Sequence, residues 1–499
     1  MRRIRPVGCG LFGLLVLGFM LPAAAQSFKV QCPSSTTLHP LVNGAPNPGI
    51  KCQEVAGTDG FATMGDGIPT YLFGFGPLSG QDLIRQGKPG TLSAAEFNVP
   101  YNSQYLPGVD AATSAAVLDT QYDPNQPQNL RGAVMNPADM MNIGVLSAQQ
   151  PAPLMAIDED DEFFLTLTNV GMIMRPDLFE QHTVHFHGYP NAGPIFDGVP
   201  DTSIAVNISG SMTYYYTAPD AGTYFWHCHI TPPEHLQMGM VGQLYVRPRQ
   251  NKAVGDLGAA LLQSNLKAPG ATTGLSCSDI LCTGQTPVPA GAASTGATGA
   301  VNTAGYTYAY NDGDGSTRYD VEYPIQMMSF DPNFHFVGMT FNPEDFSGMK
   351  DKYFMLNGRS YPDTVSDGEI TTQSTDGLAR PSQVMPAKIV INKTAGQSKA
   401  LLRISNLSIT EVSTLATIGV PMQVIATHAR LLRDLAGNNL YYNSNSITIG
   451  GGETMDVMLD VSDAAYAPGQ TFFLYSTNLD HLSNDAENFG GMMTEIVIL

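Results

Sequence analysis

Three short segments from the first half of the chain recur in the second half, in the same order, and this repeat limits the possible folds more than any other feature. LTLTNVG at 165–171 is matched by LRISNLS at 402–408, FHGYP at 186–190 by TIGVP at 417–421, and TYFWHCH at 223–229 by TFFLYST at 471–477. Each reads as a strand. In DEFFLTLTNVG, Phe163, Leu165 and Leu167 alternate with Phe164, Thr166 and Thr168, the two-residue period of a β-strand. Two ordered copies predict two similar β domains and an all-β chain. Where the first copy has His185, His187, His227, Cys228 and His229, the second has Ala416, Ile418, Tyr475, Ser476 and Thr477. The second domain is therefore expected to keep the scaffold without those side chains.

The rest of the chain arranges itself around this repeat. Residues 1–25 read as an export signal: Arg2, Arg3 and Arg5, an apolar run from Leu11 to Leu21, then Ala23-Ala24-Ala25. That run is too short to stay in a bilayer, and no later stretch is apolar for long enough to cross one. A periplasmic or extracellular location follows. Residues 26–249 are expected to form the first domain, with a loop-rich N-terminal extension in which DGFATMGDGIPTYLFGFGPLSG suggests short strands and tight turns. Residues 250–318 hold a low-complexity run and read as a linker or insertion, and 319–499 form the second domain. Only 14% of residues are charged and the formal net charge is −20, which excludes nucleic acid as a natural partner. Five cysteines follow the signal. Cys32 with Cys52 and Cys277 with Cys282 would make two local disulfides, leaving Cys228 unpaired among histidines.

The surroundings of Cys228 carry the chemistry. GTYFWHCHITPPEHLQMGM and HTVHFHG together hold six of the chain's 10 histidines. Successive side chains of a strand face opposite sides. His227 and His229 therefore share one side and Cys228 takes the other. His185 and His187 share a side, with His182 on the opposite parity. If the two strands are neighbours, His182 and Cys228 converge within the domain and His235 and Met240 join them from the following loop. His185, His187, His227 and His229 form a second group of four imidazoles. Two histidines, a thiolate and a weak thioether suit copper in an electron-transfer site, and imidazoles suit a further copper centre. Zinc would have no use for Met240.

HTVHFHG with HCHITPPEHLQMGM resembles the copper motifs of the multicopper oxidase family, the laccase-like cupredoxin proteins, over most of residues 150–499. The resemblance implies two cupredoxin-like Greek-key β-sandwiches, the second free of copper. It implies type 1 copper at His182, Cys228, His235 and Met240, a type 2 ligand in His185, and type 3 ligands in His187, His227 and His229. Asp197, in GPIFDGVP, resembles the acidic residue that delivers protons beside the cluster, and it also suits an Asp-Gly turn.

The chain departs from the family pattern twice. Six residues, including Pro232 and Pro233, separate Cys228 from His235, where laccase-like proteins have four. The family's trinuclear cluster takes eight histidines from four HxH pairs, and this chain has two such pairs; His39, His335, His428 and His481 stand isolated. A neighbouring copy could complete the cluster, so a homo-oligomer is expected. The resemblance thus implies an oxidase that takes single electrons from a small molecule, a metal ion or a redox protein and reduces dioxygen. The alternatives are a type 1 copper carrier or copper-binding protein without oxidase activity, and a nitrite reductase-like enzyme, although that family has Asp where this chain has His185.

Overall fold

The computed structural model describes residues 31–499 apart from 103, 110–115, 122–128, 190–192, 253–254, 257–300, 303–304 and 435–437. The expected signal, Cys277, Cys282 and the low-complexity run lie outside the described residues.

Two β-sandwiches account for most of the chain. In the first, one sheet has the order Pro69–Pro77, Ile50–Thr63, Glu162–Gly171, Ser211–Thr217, with Leu92–Ser93 added beside Ile50–Thr63. The facing sheet has the order Met155–Asp158, Val241–Arg247, Gly222–His227, His185–Phe186. Phe163, Leu165 and Leu167 enter the core between them, with Trp226, Cys228 and Met240. The second sandwich repeats this plan. Val321–Phe330 lies parallel to Lys399–Asn406, as Ile50–Thr63 lies parallel to Glu162–Gly171. In the first sandwich His185 faces His227 across the ladder, and in the second Ala416 faces Tyr475. The aligned repeat is thus also a shared register, and both domains share one β-sandwich plan.

The N-terminal segment departs from expectation. Its strands are long, at 14 and nine residues, and they pair as a hairpin inside the first sheet. Glycines lower the apparent strand content of this stretch, and these glycines serve close packing. A Cβ on Gly57 would stand 2.6 Å from His182 Cδ2, so the imidazole fits only against a bare backbone. Leu78, Val134, Met140 and Ile143 pack on Ala56 and Val170, and Thr168 donates to buried Glu54. Cys32 and Cys52 form the expected disulfide. The end of the expected linker is also packed: Thr307–Tyr308 pairs with Arg318–Tyr319, and Asp312 accepts from Gln250 and Thr317.

The domains share a buried seam. Phe225, Val241 and Leu72 meet Met328, Phe330 and Met355 in one apolar cluster. Thr223 donates to Asp456 at 2.6 Å, and Gln243 Nε2 donates to the Arg403 carbonyl at 2.9 Å. Among the described residues no helix is long and apolar enough to cross a membrane.

Candidate metal centre

Strand parity divides the ligand-type residues as expected. The donor atoms of His182, Cys228 and His235 lie within 4.8 Å of one another in one fully buried group. Those of His185, His187 and His227 do so in a second group, and the His229 ring centroid lies 5.0 Å from that of His185.

The first group is built from three elements. Cys228 follows the strand Gly222–His227, and its N–H donates to the Met240 carbonyl at 3.1 Å. His182 is held by an isolated bridge to Val206. His235 sits on a short helix, Pro232–Gln237, which takes up the two extra residues of the Cys–His spacing. Prolines suit a helix's first turn, where the backbone N–H has no intrahelical partner. His235 Nδ1 lies 3.3 Å from Cys228 Sγ, and His182 Nδ1 lies 3.9 Å from it. Two ligand atoms bound to one metal in a trigonal or tetrahedral site stand roughly 3.3–3.8 Å apart. The His235–Cys228 distance falls in that range, and the donor set suits copper in softness. Met240 is fully buried in the same cluster, and its N–H donates to the His235 carbonyl at 2.8 Å.

Burial pushes the Cys228 thiol up, but charge on His235 and hydrogen bonds with His182 and His235 bring it well below its ordinary value. Burial opposes charge on His235, yet the Cys228 thiolate and Glu180 lift it to about 10. Both shifts favour a thiolate beside an imidazolium when no metal is bound. Glu180 Oε2 stands 3.6 Å from His235 Nε2 at the surface side. No sequence motif singles out Glu180, although it lies two residues before His182.

The second group spans the sheet edge and the domain seam. His187 Nε2 is 3.0 Å from His227 Nε2, and His187 Nδ1 is 3.2 Å from the Gly452 carbonyl of the second domain. Desolvation, helped by His185, pushes His187 down to about 4, and burial holds His227 well below its ordinary value. Both imidazoles are then neutral near pH 7, the form that binds metal. Asp197 ends a short turn of helix. Its backbone carbonyl lies 2.6 Å from His185 Nδ1 and its carboxylate 3.5 Å. The remaining histidines have other partners. His39 pairs with Glu162, His335 lies between the Tyr71 and Gln237 carbonyls, His428 pairs with Glu453, and His481 is buried beside Ser476. One chain therefore brings four imidazoles to the second group.

A family model described as multicopper oxidase matches residues 133–251, which include every residue of both groups. Residues 133–251 are thus similar to a multicopper oxidase domain. Laccase abr2 of Aspergillus fumigatus is 28% identical over 158 residues, 30% of this chain and 24% of that protein. Multicopper oxidase MCE of Talaromyces pinophilus is 31% identical over 150 residues, 30% of this chain and 22% of that protein. The matched stretch thus spans about a quarter of these curated relatives. Among solved structures, the blue copper oxidase from Nitrosomonas europaea aligns with 90% of this chain and 85% of its own, at 17% identity and a TM-score of 0.49. Copper is the metal of the multicopper oxidase family, and both donor groups suit it.

Proposed function

We propose that this chain is an exported oxidase that withdraws single electrons from a reductant beside His235 and delivers them to dioxygen at the four-histidine group. One observation carries the reading: Cys228 belongs to the first donor group and is peptide-bonded to His227 of the second and to His229, whose ring packs against His185. Bound copper supplies one-electron redox chemistry at both places. His182, Cys228 and His235 would hold the type 1 copper, with Met240 as a weak fourth ligand. His185 is the proposed type 2 ligand, and His187, His227 and His229 the type 3 ligands. Glu180 orients the His235 ring toward the donor side. The Asp197 carboxylate, 3.5 Å from His185 Nδ1, can carry protons toward the second group. The reductant is a small molecule, a metal ion or a redox protein. Four imidazoles are half of the family's eight, so a second copy of the chain supplies the others across a shared interface.

That same shortage supports a second reading, an electron carrier with a type 1 centre and an incomplete second site. Copper per chain and oxygen uptake, measured on the native assembly, separate the two. The oxidase requires clearly more than one copper per chain together with turnover. One copper and no oxygen uptake would reject it in favour of the carrier.

A further inference from the structure

The second domain repeats the first metal pocket hydrogen bond by hydrogen bond. In the first domain the Cys228 N–H donates to the Met240 carbonyl at 3.1 Å and the Met240 N–H to the His235 carbonyl at 2.8 Å. In the second the Ser476 N–H donates to the Met492 carbonyl at 2.9 Å and the Met492 N–H to the His481 carbonyl at 2.8 Å. His235 Nδ1 faces Cys228 Sγ at 3.3 Å, and His481 Nδ1 faces Ser476 Oγ at 3.2 Å. Glu180 stands 3.6 Å from His235 Nε2, and Glu411 stands 3.9 Å from His481 Nε2. The supporting shell repeats as well. Asn169 Nδ2 donates to the Glu180 and Val206 carbonyls, and Asn406 Nδ2 donates to those of Glu411 and Ile449. His182 bridges Val206, and Ser413 pairs with Ile449. Ser413 thus occupies the place of His182.

Two of four ligand positions have changed, both to serine, and two have not. His481 and Met492 are buried, Met492 completely. Serine is far smaller than histidine, and the fully buried Ser413 Oγ has no hydrogen-bond partner among the described residues. An unpaired buried hydroxyl is uncommon, and it is what replacing an imidazole-sized ligand without rebuilding its surroundings leaves behind.

We propose that the second domain holds a latent copper pocket formed by Ser413, Ser476, His481 and Met492, the twin of the first, lacking only an imidazole and a thiolate. In the native chain the Ser476–His481 contact does the pinning that ligand bonds to a metal would do. The frame for a thiolate copper centre is intact, so restoring two side chains should restore the centre. The proposal rests on reading the Cys228 group as type 1 copper. Failure of that reading would show first, as wild-type protein without a copper-dependent visible band.

The test uses the full chain carrying Cys228→Ser, which silences the first pocket. Adding Ser413→His and Ser476→Cys should bring back an intense copper-dependent visible band and one more tightly bound copper per chain than Cys228→Ser alone. A folded triple variant, with an unchanged circular dichroism spectrum, that stays colourless and gains no copper would overturn the proposal. Should the triple variant fail to fold, Cys228→Ser with Ser476→Cys alone is the smaller change, since serine and cysteine are close in volume. Copper should then slow alkylation of the thiol introduced by Ser476→Cys several-fold, and an unchanged alkylation rate would overturn the proposal too.

Discussion

At the scale of single residues, Cys228 and His235 decide the behaviour of the first pocket. Copper-loaded protein is expected to show an intense visible charge-transfer band that Cys228→Ser abolishes while the fold survives, because serine cannot form the copper–thiolate bond. A band that persists in this variant would exclude Cys228 as the thiolate. Met240→Leu should keep the colour and shift the reduction potential, since an axial thioether tunes the centre without carrying the thiolate bond. The proton on His235 gives a further prediction. Its folded value of about 10 means that it is charged at neutral pH in the metal-free protein, and a metal must displace that proton. With Cys228 already ionised, copper uptake should release about one proton, and affinity should rise about tenfold per pH unit between roughly pH 6 and 9. Competition titrations in buffered copper would reveal this slope; a flat profile would mean that His235 is neutral before binding.

At the scale of elements, the division of the ligands is legible in the sequence because strand parity is a geometric rule that needs no tertiary information. His227 and His229 must share a side, and Cys228 must not. The helix Pro232–Gln237 is less visible, since two consecutive prolines read as readily as a turn. Gly57 cannot be recognised at all, because its reason lies across the sheet in the ring of His182. His481 looks isolated for a related cause. The ordered repeat is plain only as far as Thr477, beyond which the loops of the two domains differ in length; the hydrogen bonds of the folded chain extend it to Met492 and pair His481 with His235. The helix Pro332–Gly338 of the second domain sits against the first pocket's loop, with His335 Nε2 2.9 Å from the Gln237 carbonyl. Asp331 caps it, accepting from the Asn333 and Phe334 N–H groups. Asp331→Ala should cost about 1–2 kcal/mol of stability, measurable by denaturant unfolding; no loss would mean that the seam, not the cap, holds the helix. Gly452 has φ +80°, and a Cβ there would meet His187 Cε1 at 2.7 Å. Gly452→Ala should therefore impair copper at the second group and leave the visible band unchanged, and normal copper content would show that the turn can give way.

At the scale of the whole molecule, the proposed sharing of the second group between copies ties activity to assembly. His187→Ala with His229→Ala should abolish oxygen reduction and weaken copper-dependent association, while the colour of the Cys228 centre remains. Dilution of the native protein should lower activity per chain as copies separate. A dilute monomer with full activity would overturn the shared-site reading. The seam has a consequence for how the protein is made. Thr223 needs Asp456, Gln243 needs Arg403 and Ser405, and the Gln237 carbonyl needs His335. The N-terminal half emerges from the ribosome first, with these groups and the apolar patch around Phe225 uncovered. It has to wait for more than 200 further residues, through Asp456, before its inner wall closes. Metal delivered before that moment would meet an open pocket, so faithful loading belongs after the chain is complete.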